Sequence, residues 1–213
     1  MNPLLLGHRG ARAVRSIPEN SLASFELCLE HGCDGFEFDV RLSSDGQAVI
    51  CHDPSTDGMT IAKTPAKNLS LARLEDVLRQ FVNRAFLDIE LKVAGLEAQT
   101  LELLRKSPPS KGCVISSFLP EVLKSVHDLD PGISLGVLCE TQRQLRGWQQ
   151  SPAMWVIPHF DLVDTEFVEH VHKAGKRIMV WTVNRSGRMR ELVDQGVDAI
   201  ISDETQLLAS CLR

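Results

Sequence analysis

The chain has 213 residues, 43% of them hydrophobic and 24% charged, which is enough apolar side chain to bury a full core of ordinary globular type. Its net charge of -5 excludes a general nucleic-acid binder, which needs a basic face, but not recognition of an anion by one or two local cations. Six cysteines lie mostly in apolar runs without zinc-type pairing, and neither a signal peptide nor a membrane-spanning stretch is visible, so reduced thiols, no stable membrane association and a cytoplasmic location are expected.

In chain order, residues 4–8 read as a short apolar strand, followed by Arg9-Gly10 and a basic loop with Arg12 and Arg15. Pro18-Glu19-Asn20-Ser21 is expected to open a helix that runs to about His31 and stops at Gly32. A strand at 35–40 carries Glu37 and Asp39, which the two-residue repeat of a strand puts on one face. The turn at 43–46 then returns the chain through apolar 48–51 to His52-Asp53. A polar loop to Ser70 follows, then an amphipathic helix over 71–81 with apolar residues at 71, 74, 77, 78 and 81. The third strand, 85–91, again ends in charge: Glu90 and Lys92 are two apart and share a face. Helix 95–106 stops at Pro108-Pro109. Strands at 113–116, 133–138, 154–157, 177–183 and 199–201 follow, separated by helices to about Leu129, near 141–148, over 165–174 with Thr165 as cap, and over 187–195; a last helix closes the chain.

Roughly eight strands alternating with eight helices in one domain spanning 1–213 predict an α/β fold of the TIM (β/α)8 barrel type. An open doubly wound sheet is the alternative, but the chain shows no glycine-rich phosphate loop. His8, Glu37, Asp39, Glu90, Ser116, Trp181 and Ser202 fall at the downstream ends of their strands, the barrel rim on which active sites are built. Glu37, Asp39 and Glu90 supply three hard oxygen ligands suited to Mg²⁺ or Ca²⁺; a salt-bridge network with Lys92 and Arg41 is the competing reading. His8 and His52 bracket the acids and can exchange protons near neutral pH. Arg9 and Lys92 are candidate phosphate binders, although Lys92 can equally serve to neutralise Glu90. Trp181 is read as an apolar wall of the mouth, with a core position as the alternative. Glu19-Asn20, at a helix start, are read as serving capping and the helix dipole, with a part in the site as the alternative.

The ordered set His8-Arg-Gly10, Pro18-Glu-Asn-Ser21, Glu37-Phe-Asp-Val40, His52-Asp53, Glu90-Leu-Lys92, Ser116-Ser-Phe118, Val180-Trp-Thr-Val-Asn184 and Ala199-Ile-Ile-Ser-Asp203 resembles the glycerophosphodiester phosphodiesterase family. The resemblance implies a barrel of the phospholipase-C-like phosphodiesterase type that hydrolyses glycerophosphodiesters to glycerol 3-phosphate and an alcohol, in lipid and glycerol metabolism. It further implies a divalent metal at Glu37, Asp39 and Glu90, proton exchange by His8 and His52, and phosphate held at Arg9. The chain departs from the family in its short segment after the second strand, 54–70, where a longer insertion is usual, and in Asp57-Gly-Met-Thr60, where an Arg commonly follows the Asp. Two other readings remain open at this point: cleavage of lysophospholipid or phosphoinositide head groups, and a non-catalytic barrel that binds a phosphate ligand. The expected partner is a small-molecule diester, with no nucleic acid; oligomeric state is not legible.

Overall fold

The computed structural model describes residues 2–213. Eight parallel strands form the barrel: β1 (Leu4–His8), β2 (Gly35–Leu42), β6 (Phe86–Leu91), β7 (Cys113–Ser117), β8 (Leu135–Cys139), β9 (Trp155–Pro158), β10 (Arg177–Val180) and β11 (Ala199–Ser202). Each pairs with the next, and β1 pairs with both β11 and β2, so the sheet has no parallel edge left open. A short strand β3 (Ala48–Ile50) lies antiparallel on β2, and β4 (Ser55–Thr56) with β5 (Met59–Thr60) makes a separate two-stranded hairpin.

Helices α1 (Leu22–Glu30), α2 (Leu74–Phe81), α3 (Glu97–Lys106), α4 (Pro120–Leu129), α5 (Gln142–Leu145), α6 (Thr165–Lys173), α7 (Ser186–Asp194) and α8 (Thr205–Leu212) link the strands. The strand repeat sorts side chains into two compartments. Leu6, Phe86, Val114, Leu138, Trp155, Ile157, Met179, Ala199 and Ile201 fill the barrel interior. The alternate positions, among them Phe36, Phe38, Val40, Leu87 and Ile89, face the helices. There Phe25 of α1 stacks on Phe36 at 4.2 Å and Phe81 of α2 meets Phe36 edge-on at 5.1 Å, which fastens both helices to β2.

Several expected boundaries move. The first helix starts at Leu22 rather than Pro18, because Asn20 adopts φ 54 and Ser21 is the cap, its side chain accepting from the Ser24 N–H. The second begins at Leu74; Arg73 instead bridges to Val49, and its N–H donates to the Asp76 carboxylate. Asp164, not Thr165, caps α6. β10 ends at Val180, and Trp181 keeps only an isolated bridge to His159. The segment read as a polar loop to Ser70 contains the hairpin and two 3-10 turns, and Ile61, Ala66 and Leu69 pack on Val49 as a small core of its own. All six cysteines are free thiols. No helix among the described residues is long and apolar enough to cross a membrane.

Gly35 opens β2 where a Cβ would stand 1.9 Å from the Phe86 carbonyl oxygen on β6, a backbone atom that cannot yield. Gly35→Ala is therefore expected to collapse the thermal midpoint or the yield of folded protein. Gly46→Ala, at φ +76 in open space, is expected to cost only about 1 kcal/mol of backbone strain in urea unfolding.

Candidate active site

Because β2 and β6 run in register, Glu37 lies opposite Asp88 and Asp39 opposite Glu90, all on the interior face. One carboxylate oxygen from each of Glu37, Asp39 and Glu90 lies within 4.8 Å of the others, and all three residues are buried. Such a cluster cannot be left as three bare charges. Lys92 Nζ sits 2.8 Å from Glu90 Oε1 and 3.3 Å from Asp39 Oδ1. Arg9 Nε is 3.3 Å from Asp39 Oδ2, and Asn20 Nδ2 donates to the same oxygen at 2.8 Å. Arg41, the other cation considered from sequence, donates instead to the His52 carbonyl.

These partners divide the acids. Burial pushes Asp39 up, but Lys92 and Arg9 outweigh it and hold the carboxyl below its ordinary value. Burial and the neighbouring Asp39 raise Glu90 to about 7, and burial followed by the charges of Asp39 and Glu90 raises Glu37 well above the usual range. Glu37 Oε2 accepts from the Arg9 N–H at 3.0 Å, whereas its Oε1 is buried without a hydrogen-bond partner. That orphaned oxygen, amid an all-oxygen donor set, fits a hard divalent cation, and Glu37, Asp39 and Glu90 are the side chains that can hold one.

Both predicted histidines flank the acids. His8 Nδ1 is 2.7 Å from Asp203 Oδ1, and its Nε2 is 3.9 Å from Glu37 Oε2. Burial lowers the His8 pKa, outweighing the upward pull of its bond to Asp203. His52, carried back along β3, pairs through Nδ1 with Asp53 at 2.7 Å and is half-exposed. A carboxylate on each Nδ1 leaves each Nε2 turned to other partners. His8, Arg9, Glu37, His52, Glu90 and Lys92 line one cavity of about 350 Å³. Phe118, Leu138, Glu140, Trp181 and Ile201 complete it. Trp181, half-buried, is fixed by Nε1–H donating to the Ile157 carbonyl at 3.0 Å, and Phe118 meets its ring edge-on at 5.7 Å.

Sequence reasoning undervalued three supports. Asn20 is part of the site: its turn conformation aims the amide at Asp39, from whose N–H it also accepts. Glu19 accepts from Arg9 and Arg12 and so fixes both guanidinium groups. Asp203 receives Asn184 Nδ2 and Arg12 as well as His8. The only sequence signal was their place in the ordered motifs. Ser116 and Ser202, read as rim residues, are supports: Ser116 Oγ donates to the buried Asp88 and Ser202 Oγ to Asn184.

Against known proteins, the description of the glycerophosphoryl diester phosphodiesterase family matches residues 8–106 and 102–207. A glycerophosphodiester phosphodiesterase of Caldanaerobacter subterraneus subsp. tengcongensis is 27% identical over the whole of this chain and 99% of its own. Among solved structures, an Oleispira antarctica phosphodiesterase in complex with the product sn-glycerol-3-phosphate superposes with a TM-score of 0.86 at 28% identity, covering 99% of this chain and 96% of that one. A putative glycerophosphoryl diester phosphodiesterase from Silicibacter pomeroyi shares the fold at a TM-score of 0.88 and 21% identity, covering 99% and 93%.

Asp203, held down to about 2 against an ordinary 3.8 because its bonds to His8, Asn184 and Arg12 outweigh burial, stabilises the fold above pH 3.8 and loses that contribution as pH falls toward 2. The urea-midpoint gap between wild type and Asp203→Asn is expected to be widest near neutrality and to narrow through that window.

Proposed function

The chain belongs to the glycerophosphoryl diester phosphodiesterase family, and from that premise we propose that it hydrolyses glycerophosphodiesters to glycerol 3-phosphate and an alcohol. It is an enzyme, a phosphoric diester hydrolase. The observation that carries the reading is the convergence of three buried carboxylate oxygens within 4.8 Å of one another, two of them from residues, Glu37 and Glu90, that line a cavity with two imidazoles. Support for the product comes from the Oleispira antarctica neighbour, whose complex holds sn-glycerol-3-phosphate.

Glu37, Asp39 and Glu90 would hold a divalent cation, Mg²⁺ or Ca²⁺. Bound there, it supplies charge withdrawal from a non-bridging phosphate oxygen. The remaining work falls to the chain. Arg9 and Lys92 line the same cavity and offer N–H donors to the phosphate, and Trp181 supplies an apolar wall against which the diester is positioned. His8, lowered by burial and so neutral near pH 7, accepts the nucleophile's proton at Nε2 while Asp203 holds its Nδ1. As the new P–O bond forms and the bond to the leaving alcohol breaks, His52 Nε2 delivers a proton to the departing oxygen, with Asp53 on its other nitrogen. The nucleophile is water or the glycerol 2-hydroxyl; the latter leaves a cyclic phosphate first, and product analysis separates the two.

Turnover of glycerophosphocholine with Mg²⁺ or Ca²⁺ tests the reading. His8→Ala is expected to lower kcat by about 10²- to 10⁴-fold, and Glu37→Gln to abolish the cation-induced rise in thermal midpoint; full activity in both variants would overturn it. Because Glu90, raised to about 7, and Glu37, raised well above the usual range by burial and its acidic neighbours, hold protons that a cation must displace, cation affinity should increase with pH through neutrality. Calorimetry in buffers of different ionisation enthalpy is expected to register release of about one proton or more at pH 6.

A further inference from the structure

The cavity carries a charge that the phosphodiester reaction does not use. Glu140 follows β8, is exposed, and lines the same cavity as Trp181 and Phe118. Its backbone N–H is fixed to Gln144 Oε1 at 2.9 Å, within the capped start of α5, so the carboxylate is presented from an ordered point. The other acids at the cavity have counter-charges or one another: Glu90 and Asp39 face Lys92, Asp39 also faces Arg9, and Glu37 belongs to the acid cluster. Among the described residues Glu140 makes no ion pair, and both cationic side chains of the cavity already face other carboxylates.

An unpaired carboxylate repels a substrate whose only charge is its phosphate. It attracts one that carries a positive charge at the other end. The two aromatic rings favour the same group, since an alkylammonium is drawn to the electron-rich faces of Trp and Phe. Phe118 already has a cation above its ring, Lys92 Nζ at 5.9 Å from the centroid. Trp181 is anchored by its N–H, leaving its apolar surface at the cavity for a ligand.

We propose that Glu140, with Trp181 and Phe118, forms a subsite for a cationic alcohol and selects glycerophosphodiesters whose head group bears an ammonium, primary or quaternary, over those with neutral alcohols. This rests on the proposed phosphodiesterase activity and adds to it a specificity-determining residue. No covalent step changes; the carboxylate binds the part of the diester that departs as alcohol.

The test compares kcat/KM for glycerophosphocholine and glycerophosphoethanolamine with kcat/KM for glycerophosphoglycerol and glycerophosphoinositol, in wild type, Glu140→Gln and Glu140→Lys. The wild type is expected to prefer the cationic pair. Glu140→Gln should reduce that preference roughly threefold to tenfold, mostly through KM, and Glu140→Lys should reverse it. A ratio unchanged in both variants overturns the subsite while leaving the phosphodiesterase reading in place. Failure of the wild type to hydrolyse any of the four diesters with either cation overturns both. Glu140 is exposed, so neither variant threatens folding, and circular dichroism checks this directly.

Discussion

Everything at the rim depends on how three like charges are kept together away from water. Glu37, Asp39 and Glu90 repel one another, and burial deprives each of hydration. The fold meets the cost unevenly. Asp39 receives the most help, from Arg9, Asn20 and a Lys92 that it shares with Glu90, and is held below its ordinary carboxyl value. Glu37 and Glu90 are left raised toward their neutral forms. The arrangement is thus uneven: one carboxyl held low, and two raised ones whose ionisation added positive charge favours. An apolar replacement of the same volume would hold the barrel together at least as well. The acids therefore find no explanation in stability.

The supports repeat one device. A side chain that must present one atom to the cavity is held by another atom. His8 and His52 are held at Nδ1, Trp181 at Nε1 and Arg9 at Nη1 by Glu19. Each bond fixes rotamers before any ligand binds, which lowers the entropy lost on binding. The two imidazoles differ in how firmly they are set. Asp203 is itself bound by Asn184 and Arg12, while Asp53 is exposed and has no comparable scaffold.

Much of this was legible in the sequence because strands enforce a strict two-residue repeat. Glu37 and Asp39 could only share a face, as could Glu90 and Lys92, and parallel alternation could only bring their strands' ends to one rim. Reading failed where backbone conformation broke the repeat or where a partner was remote. Pro18 and Ser21 both mark helix starts, and nothing local revealed that Asn20 would take a left-handed conformation and turn its amide to Asp39. Asp203 lies 195 positions from His8, a separation over which composition and spacing carry no signal. The segment after His52 looked polar because its few apolar residues, Ile61, Ala66 and Leu69, are spread too far apart to form a periodic pattern, yet they converge on Val49.

The pairing of the first strand with the last has a consequence for the order in which competence is acquired. β1 closes the cylinder against β11, and His31 with Thr205 and Arg213 with Asp34 tie residues 31–34 to residues 205–213 beside the same seam. His8 precedes the carboxylate that holds its Nδ1 by 195 positions, so the pair forms only once the residues that follow β11 are in place beside β1. A barrel whose first and last strands have parted leaves the His8 ring without the carboxylate that orients it, so the setting of this imidazole depends on the seam being joined.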